Sequence, residues 1–236
     1  MKAKQLLLSG LLCAALGLPA MKSSAQVQIG VRAGLNLSNV TAKDSDGDEV
    51  YNGTSLNPGF NAGVTFDIAI ADGFYVQPAA LVSTKGFKYK ESGGTATFSP
   101  TYVEVPVNFI YKPELGAGRL LLGVGPYVAY GVGGKWKAEA GSNKVSGKLE
   151  FVNDYKDAAA FELIEEGDFV DGIKIPYAKK LDFGGNLLAG YELSNNLSVQ
   201  LNAQLGLANG VPAFNGVDTK EKFKNVGFGI SLGYKF

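Results

Sequence analysis

Residues 225–236 read Asn225-Val226-Gly227-Phe228-Gly229-Ile230-Ser231-Leu232-Gly233-Tyr234-Lys235-Phe236. Val226, Phe228, Ile230, Leu232, Tyr234 and Phe236 fall on one side of an extended chain, and Asn225, three glycines, Ser231 and Lys235 on the other. Successive side chains of a strand point to opposite faces, so this is a strand with one oily face and one polar face. The same alternation opens the chain proper: Val27, Ile29, Val31, Ala33, Leu35 and Leu37 oppose Gln28, Gly30, Arg32, Gly34, Asn36 and Ser38. It recurs where Leu197, Val199, Leu201, Ala203, Leu205 and Leu207 oppose Ser198, Gln200, Asn202, Gln204, Gly206 and Ala208.

Five further stretches alternate less strictly, at about 59–69, 74–88, 98–112, 119–131 and 181–193. Globular strands average about five or six residues. A tilted strand crossing the hydrocarbon layer needs about 9–11. Nearly every strand here has the longer measure, which points to a membrane and not to a soluble sandwich. The connections are sorted as well. Long links at about 39–58, 90–96, 132–180 and 209–222 alternate with short ones at 71–73, 113–118 and 194–196. Outer-membrane barrels combine long outer loops with short periplasmic turns. The expected fold is therefore all-β: a closed, antiparallel, up-and-down transmembrane β-barrel of eight strands, with both termini in the periplasm. Residues 145–152 and 169–175 read as strands that extend above the membrane; if both instead cross it, the barrel has ten. Asn153–Gly167 reads instead as a short helix capped by Asn153.

The N-terminus gives the compartment. Lys2 and Lys4 precede an apolar run from Leu6 to Leu18, and Ser23-Ser24-Ala25 supplies small residues for cleavage. Residues 1–25 are read as a secretory signal peptide, with 26–236 as the barrel domain. The apolar run is too short to span a bilayer. Cys13, the sole cysteine, lies within it and follows Leu12, not the small residue a lipidation site requires. The processed chain would therefore carry no disulfide. Cleavage removes three of 22 Lys+Arg and none of 22 Asp+Glu, leaving three net negative charges. Nothing in that balance points to nucleic acid.

The sequence is identified as resembling a known family through four features. These are the opening Val27-Gln28-Ile29-Gly30-Val31-Arg32-Ala33-Gly34-Leu35-Asn36, the segment from Phe74-Tyr75-Val76-Gln77-Pro78 to Lys85-Gly86, the strand Tyr102-Val103-Glu104-Val105-Pro106, and the aromatic end Tyr234-Lys235-Phe236. Together they resemble the PorT-like outer-membrane β-barrels, often labelled "porin family protein", over essentially the whole processed chain. The resemblance implies an integral outer-membrane protein surrounded by lipid and inserted by barrel-assembly machinery. It implies fold and location more than activity.

No histidine is present, which removes the commonest general base and metal ligand and the Ser-His and Cys-His nucleophile pairs. No enzymatic activity and no cofactor are expected. Asp44, Asp46 and Asp48 resemble the acidic start of a calcium loop, but Gly47 and Glu49 fall at the wrong positions for one. A solvated outer loop is the plainer reading, a weak divalent-ion contact the other. The strand phases turn Arg32, Asp67, Lys85, Glu104, Lys112, Arg119, Asp182, Glu192 and Lys235 inward. An eight-stranded barrel is just wide enough for side chains to fill it. Asp67, Lys112, Arg119, Glu192 and Lys235 fall near the periplasmic end, with Arg32 slightly above; together with Glu104 they are expected to form a lumen ion-pair network, and in a channel they would be a selectivity ring. The acidic loop residues Glu150, Asp154, Asp157, Glu162, Glu165, Glu166, Asp168 and Asp171 read as solvated or as an adhesive surface. Three functions stay open: a surface or envelope protein acting through its outer loops, a narrow porin for small solutes, and an accessory part of a secretion system.

Overall fold

A computed structural model describes residues 27–49, 53–91, 93–157 and 173–236. The leader read at 1–25, with Cys13, lies outside the described residues. The described residues form twelve strands: β1 (Val27–Lys43), β2 (Thr54–Ala71), β3 (Phe74–Thr84), β4 (Phe87–Glu91), β5 (Gly94–Tyr111), β6 (Glu114–Leu115), β7 (Gly118–Ala140), β8 (Asn143–Glu150), β9 (Lys174–Pro176), β10 (Leu181–Glu192), β11 (Leu197–Gly206) and β12 (Lys222–Lys235). No helix among the described residues is long and apolar enough to cross a membrane.

Eight of these strands form a ring. β1 pairs with β2, β2 with β3, β3 with β5, β5 with β7, β7 with β10, β10 with β11, β11 with β12, and β12 with β1, all antiparallel. No edge of the ring is left unpaired, as a sheet in lipid requires. Its stagger follows from the partners. Val27 leads to Ile68, Val76, Phe109, Val124, Leu187, Ala203 and Phe228 in turn, and Phe228 faces Leu37. One circuit therefore returns to β1 at Leu37, the tenth residue after its start at Val27. Such a stagger inclines the strands at about 35–45° to the barrel axis.

The oily faces point outward. Leu35, Phe60, Phe109, Val124, Leu187, Leu201, Phe228 and Leu232 are all exposed. They form the band that lipid covers. Phe74 stacks on Tyr111, and Tyr234 meets Phe236 edge-on, at the end of the barrel that carries the short turns.

Three differences from the sequence reading, and the outcome of its ten-stranded alternative, have physical causes. First, β1, β2 and β7 run past the alternating stretches, β7 to Ala140. Beyond the lipid the outward face need not be apolar, so alternation fades while backbone pairing continues. Second, the stretch read as one strand over 74–88 is broken at Lys85-Gly86. Gly86 has φ 128°, and a Cβ there would lie 1.9 Å from the Phe98 carbonyl oxygen, so only glycine fits. Third, the ten-stranded alternative fails and the expected eight-stranded ring stands, because the segment at 145–152 does not cross the membrane. β8 pairs with the upper part of β7 and, in parallel, with β9, so the ring has eight strands, not ten. Fourth, Tyr155–Asp157 is one turn of 3-10 helix. Asn153 does not cap it: its Oδ1 accepts the Lys180 N–H, while Asp154 Oδ1 accepts the Lys156 N–H at 3.0 Å. The rest of the helix read over 153–167 falls outside the described residues.

Inward glycines bring neighbouring strands close. A Cβ on Gly125 would sit 1.9 Å from the Val107 carbonyl oxygen and 2.8 Å from Asn108 Cα, whereas one on outward Gly185 would meet nothing within 4 Å. Gly125→Val is expected to destabilise the barrel by about 3 kcal/mol, read from its urea-unfolding midpoint in lipid vesicles. Gly185→Val should leave that midpoint unchanged.

Candidate functional site: the filled lumen and the loop-end cap

The inward side chains fill the barrel in layers. At the short-turn end, β2 supplies Asp67, β10 Glu192 and β12 Lys235, and Lys112 follows β5. Lys112 and Lys235 each form an ion pair with Asp67, Lys235 also pairs with Glu192, and Lys112 lies 3.5 Å from Glu192. Gln77 Nε2 donates to Asp67 Oδ1 at 2.6 Å, and the Lys112 ammonium stands 4.3 Å from the Tyr75 ring centre. All four charged residues are buried. Two positive and two negative charges give a cluster with no net charge, the arrangement that limits the cost of removing ions from water.

Above it lies an apolar layer of Ile110, Leu121 and Leu188, with Tyr75 against it. Asn186 Nδ2 donates to Asn108 Oδ1 at 2.6 Å across the barrel. A second charged layer follows. Lys85 stands 2.8 Å from Glu104 and 3.6 Å from Asp182, and its ammonium is 4.4 Å from the Tyr127 ring centre. Gln204 donates to Glu104 at 2.6 Å, and Asn225 and Tyr127 donate to Asp182 at 3.1 and 3.3 Å. Arg32 joins this layer. It shares with Lys85 and Glu104 the lining of an internal cavity of about 30 Å³, room for a water molecule and little more. Arg32 Nε and Nη1 have no hydrogen-bond partner among the described residues.

The loop end is capped by rings. Phe151, Tyr177 and Ala178, from the segment between β7 and β10, pack with Tyr102, Tyr127, Ala129 and Phe223. Phe151 meets Tyr102 and Tyr177 edge-on at 5.1 and 5.7 Å, and Phe98 stacks on Tyr177 at 6.2 Å. Backbone bonds hold the cap down: Val152 N–H to Ala178 O, Tyr155 N–H to Ala213 O, Ala213 N–H to Asn153 O, and Lys179 N–H to Gly210 O. The Asp154 carboxylate accepts the N–H groups of Lys156, Asn215 and Gly216 at 3.0, 3.1 and 2.5 Å.

The structure thus distributes the residues read as one network. Asp67, Lys112, Glu192 and Lys235 come together, and Arg32 and Glu104 lie in a separate layer. Arg119 joins neither. It is exposed at the rim, opposite Glu192 in the β7–β10 ladder and Glu114 in β6, and makes no ion pair among the described residues. Two lysines already balance the two acids beside it, so no buried charge is left for it. Lys85 and Asp182 complete the upper layer; strand phase had turned both inward, but nothing in the sequence paired them with Glu104. The cap was not legible, because Phe151 and Tyr177 sit in a stretch without period. Asp44, Asp46 and Asp48 do not converge on a metal: Asp44 Oδ1 accepts the N–H groups of Asp46 and Asp48 at 3.0 and 2.9 Å. No group of three or more potential metal ligands occurs among the described residues. Glu162, Glu165, Glu166, Asp168 and Asp171 lie outside them.

An oily exterior around a charged, self-paired interior defines an integral membrane β-barrel. The model of the outer membrane protein beta-barrel domain matches residues 20–210, and the chain belongs to that family and to the bacterial outer membrane. None of the curated proteins matches it. Among solved structures it is similar to Neisserial surface protein A (11% identity, 89% of this chain and 99% of that one, TM-score 0.42). It is also similar to Ail, the attachment invasion locus protein of Yersinia pestis (13%, 89% and 99%, 0.38), and to OprG of Pseudomonas aeruginosa (14%, 92% and 99%, 0.36).

Two outcomes follow. Lys112→Met leaves two buried carboxylates facing one ammonium and is expected to lower stability by about 3–5 kcal/mol. Adding Asp67→Leu restores neutrality and should recover most of that loss, with both variants compared by urea unfolding in vesicles. Burial opposes ionisation of Asp154, but the N–H groups of Lys156, Gly216 and Asn215 and the Lys156 ammonium outweigh it and hold the carboxyl below its ordinary value. A carboxylate of lowered pKa holds its contacts above the ordinary aspartate range near 4 and loses them as pH falls through the lowered value. The Gly216 amide proton should move upfield in an NMR titration only below about pH 4, and Asp154→Ala should abolish that step.

Proposed function

We propose that this protein is a surface barrel closed to solutes. It carries its long loops outside the cell and its termini in the periplasm, and acts through its capped, loop-bearing end as an envelope or adhesion protein rather than as an enzyme. The observation that carries this reading is the filled lumen. Two neutral ion clusters, an apolar layer and a lid of rings leave a cavity of about 30 Å³ beside Arg32. A selectivity ring needs charge that an ion can meet in water; here each lumen carboxylate already faces an ammonium. The sorting of loops supports the sidedness, since long loops face outward in such barrels. The motifs at Val27–Asn36 and Tyr102–Pro106 support the finer placement among PorT-like barrels. Purified protein in a planar bilayer is expected to show no steady conductance at 100 mV. Regular open steps that survive in the wild-type chain would overturn the closed reading in favour of a narrow porin.

A further inference from the structure

Beyond the lumen, one surface carries charge the barrel itself does not use. Where β1 and β12 emerge from the oily band, Lys43 faces Lys222 directly across the ladder, and Thr41 faces Lys224. Like charges placed directly opposite in a sheet destabilise it. Lys43, Lys222 and Lys224 occupy the outward phase, set by exposed Leu37 and Phe228 below them. With Lys220 they line an open cleft of about 690 Å³, completed by Asp44, Ser45, Asp46, Gly47, Leu207, Asn209 and Thr219. None of the four lysines makes an ion pair among the described residues. Thr219 Oγ1, in the same cleft, is buried without a hydrogen-bond partner there. The Asp44 carboxylate opposite is engaged by its own turn. Four ammoniums against Asp44 and Asp46 leave the cleft net positive.

We propose that this cleft holds the phosphorylated headgroup of an outer-leaflet lipid. The position favours a lipid over a free anion. Leu207, 61% exposed, forms the lower edge of the cleft and continues the band of Leu205, Leu37 and Phe228, so a phosphate among the lysines leaves its acyl chains on an apolar wall. Lysines just beyond a hydrophobic band are attracted to anionic headgroups. The placement in the outer leaflet rests on the proposed sidedness, with the long loops outside; the affinity of the cleft does not.

The test uses the full processed chain in neutral detergent micelles, with native mass spectrometry counting retained lipid. The probes are bisphosphorylated lipid A and its fully dephosphorylated form. Wild-type protein is expected to retain the phosphorylated lipid and release the other. Changing Lys43, Lys220, Lys222 and Lys224 together to glutamine should weaken retention by about tenfold or more. Changing Lys135, Lys137 and Lys144 on the β7–β8 hairpin should not. All variants should keep the folded, heat-modifiable gel band, because these side chains pack against nothing in the core. Equal retention of both lipids, or loss of binding in the hairpin variant alone, overturns the proposal. Displacement of the lipid by millimolar inorganic phosphate would show a site for a soluble anion and overturns it too. Protease cleavage near residue 155 on intact cells reports sidedness separately: micelle binding without surface cleavage keeps the lipid site and rejects the orientation.

Discussion

Eight strands wound with a stagger of ten residues enclose a bore only about two side chains wide, and whatever occupies it is removed from water. That constraint governs the interior. Lys112 and Lys235 between Asp67 and Glu192, and Lys85 with Arg32 beside Glu104 and Asp182, are solutions to it: ions are admitted in balancing sets, with further hydrogen bonds from Gln77, Gln204, Asn225 and Tyr127. The backbone is satisfied by closure, so side chains are free to satisfy one another. The small inward residues follow from the same geometry. At Gly125 the adjacent strand's carbonyl occupies the volume a Cβ would need.

The constraint also separates what the chain shows from what it hides. Alternation marks a strand only where one face meets lipid and the other does not. The lipid-crossing parts of β1, β10, β11 and β12 were therefore legible from Ile29, Leu187, Leu201 and Ile230 onward, and with them the fold. The same rule placed Asp67, Glu104 and Lys235 inside. Strand position also set Asp67, Lys112, Glu192 and Lys235 together near the periplasmic end, with Arg32 slightly above; it did not pair Glu104 with Lys85 and Asp182, because which side chains meet across the bore depends on the stagger. Arg119 shows the limit: its phase is inward, yet it lies so near the rim that water replaces a partner. The β7 extension and the ring cap were hidden for the opposite reason. Above the membrane both faces of a strand are free to be polar, and Phe151 and Tyr177 are aromatic residues in a stretch with no repeat.

Among the described residues, the loop end is a built surface held by side-chain and backbone bonds. Asp154 gathers three N–H groups from two segments, and rings from β5, β12 and the long connection interlock over the mouth. Contacts already made within this described part need no further ordering, which is the kind of preorganisation that lowers the cost of binding.

Lys235 of β12 lies in the same buried cluster as Asp67 of β2. Until the final strand is laid against the first, that cluster holds two acids and a single base. A ring left open at β12 therefore keeps an unbalanced negative charge in the bore. Charge balance at the base of the bore thus arrives only with closure, so an open sheet carries an electrostatic handicap that the finished ring does not.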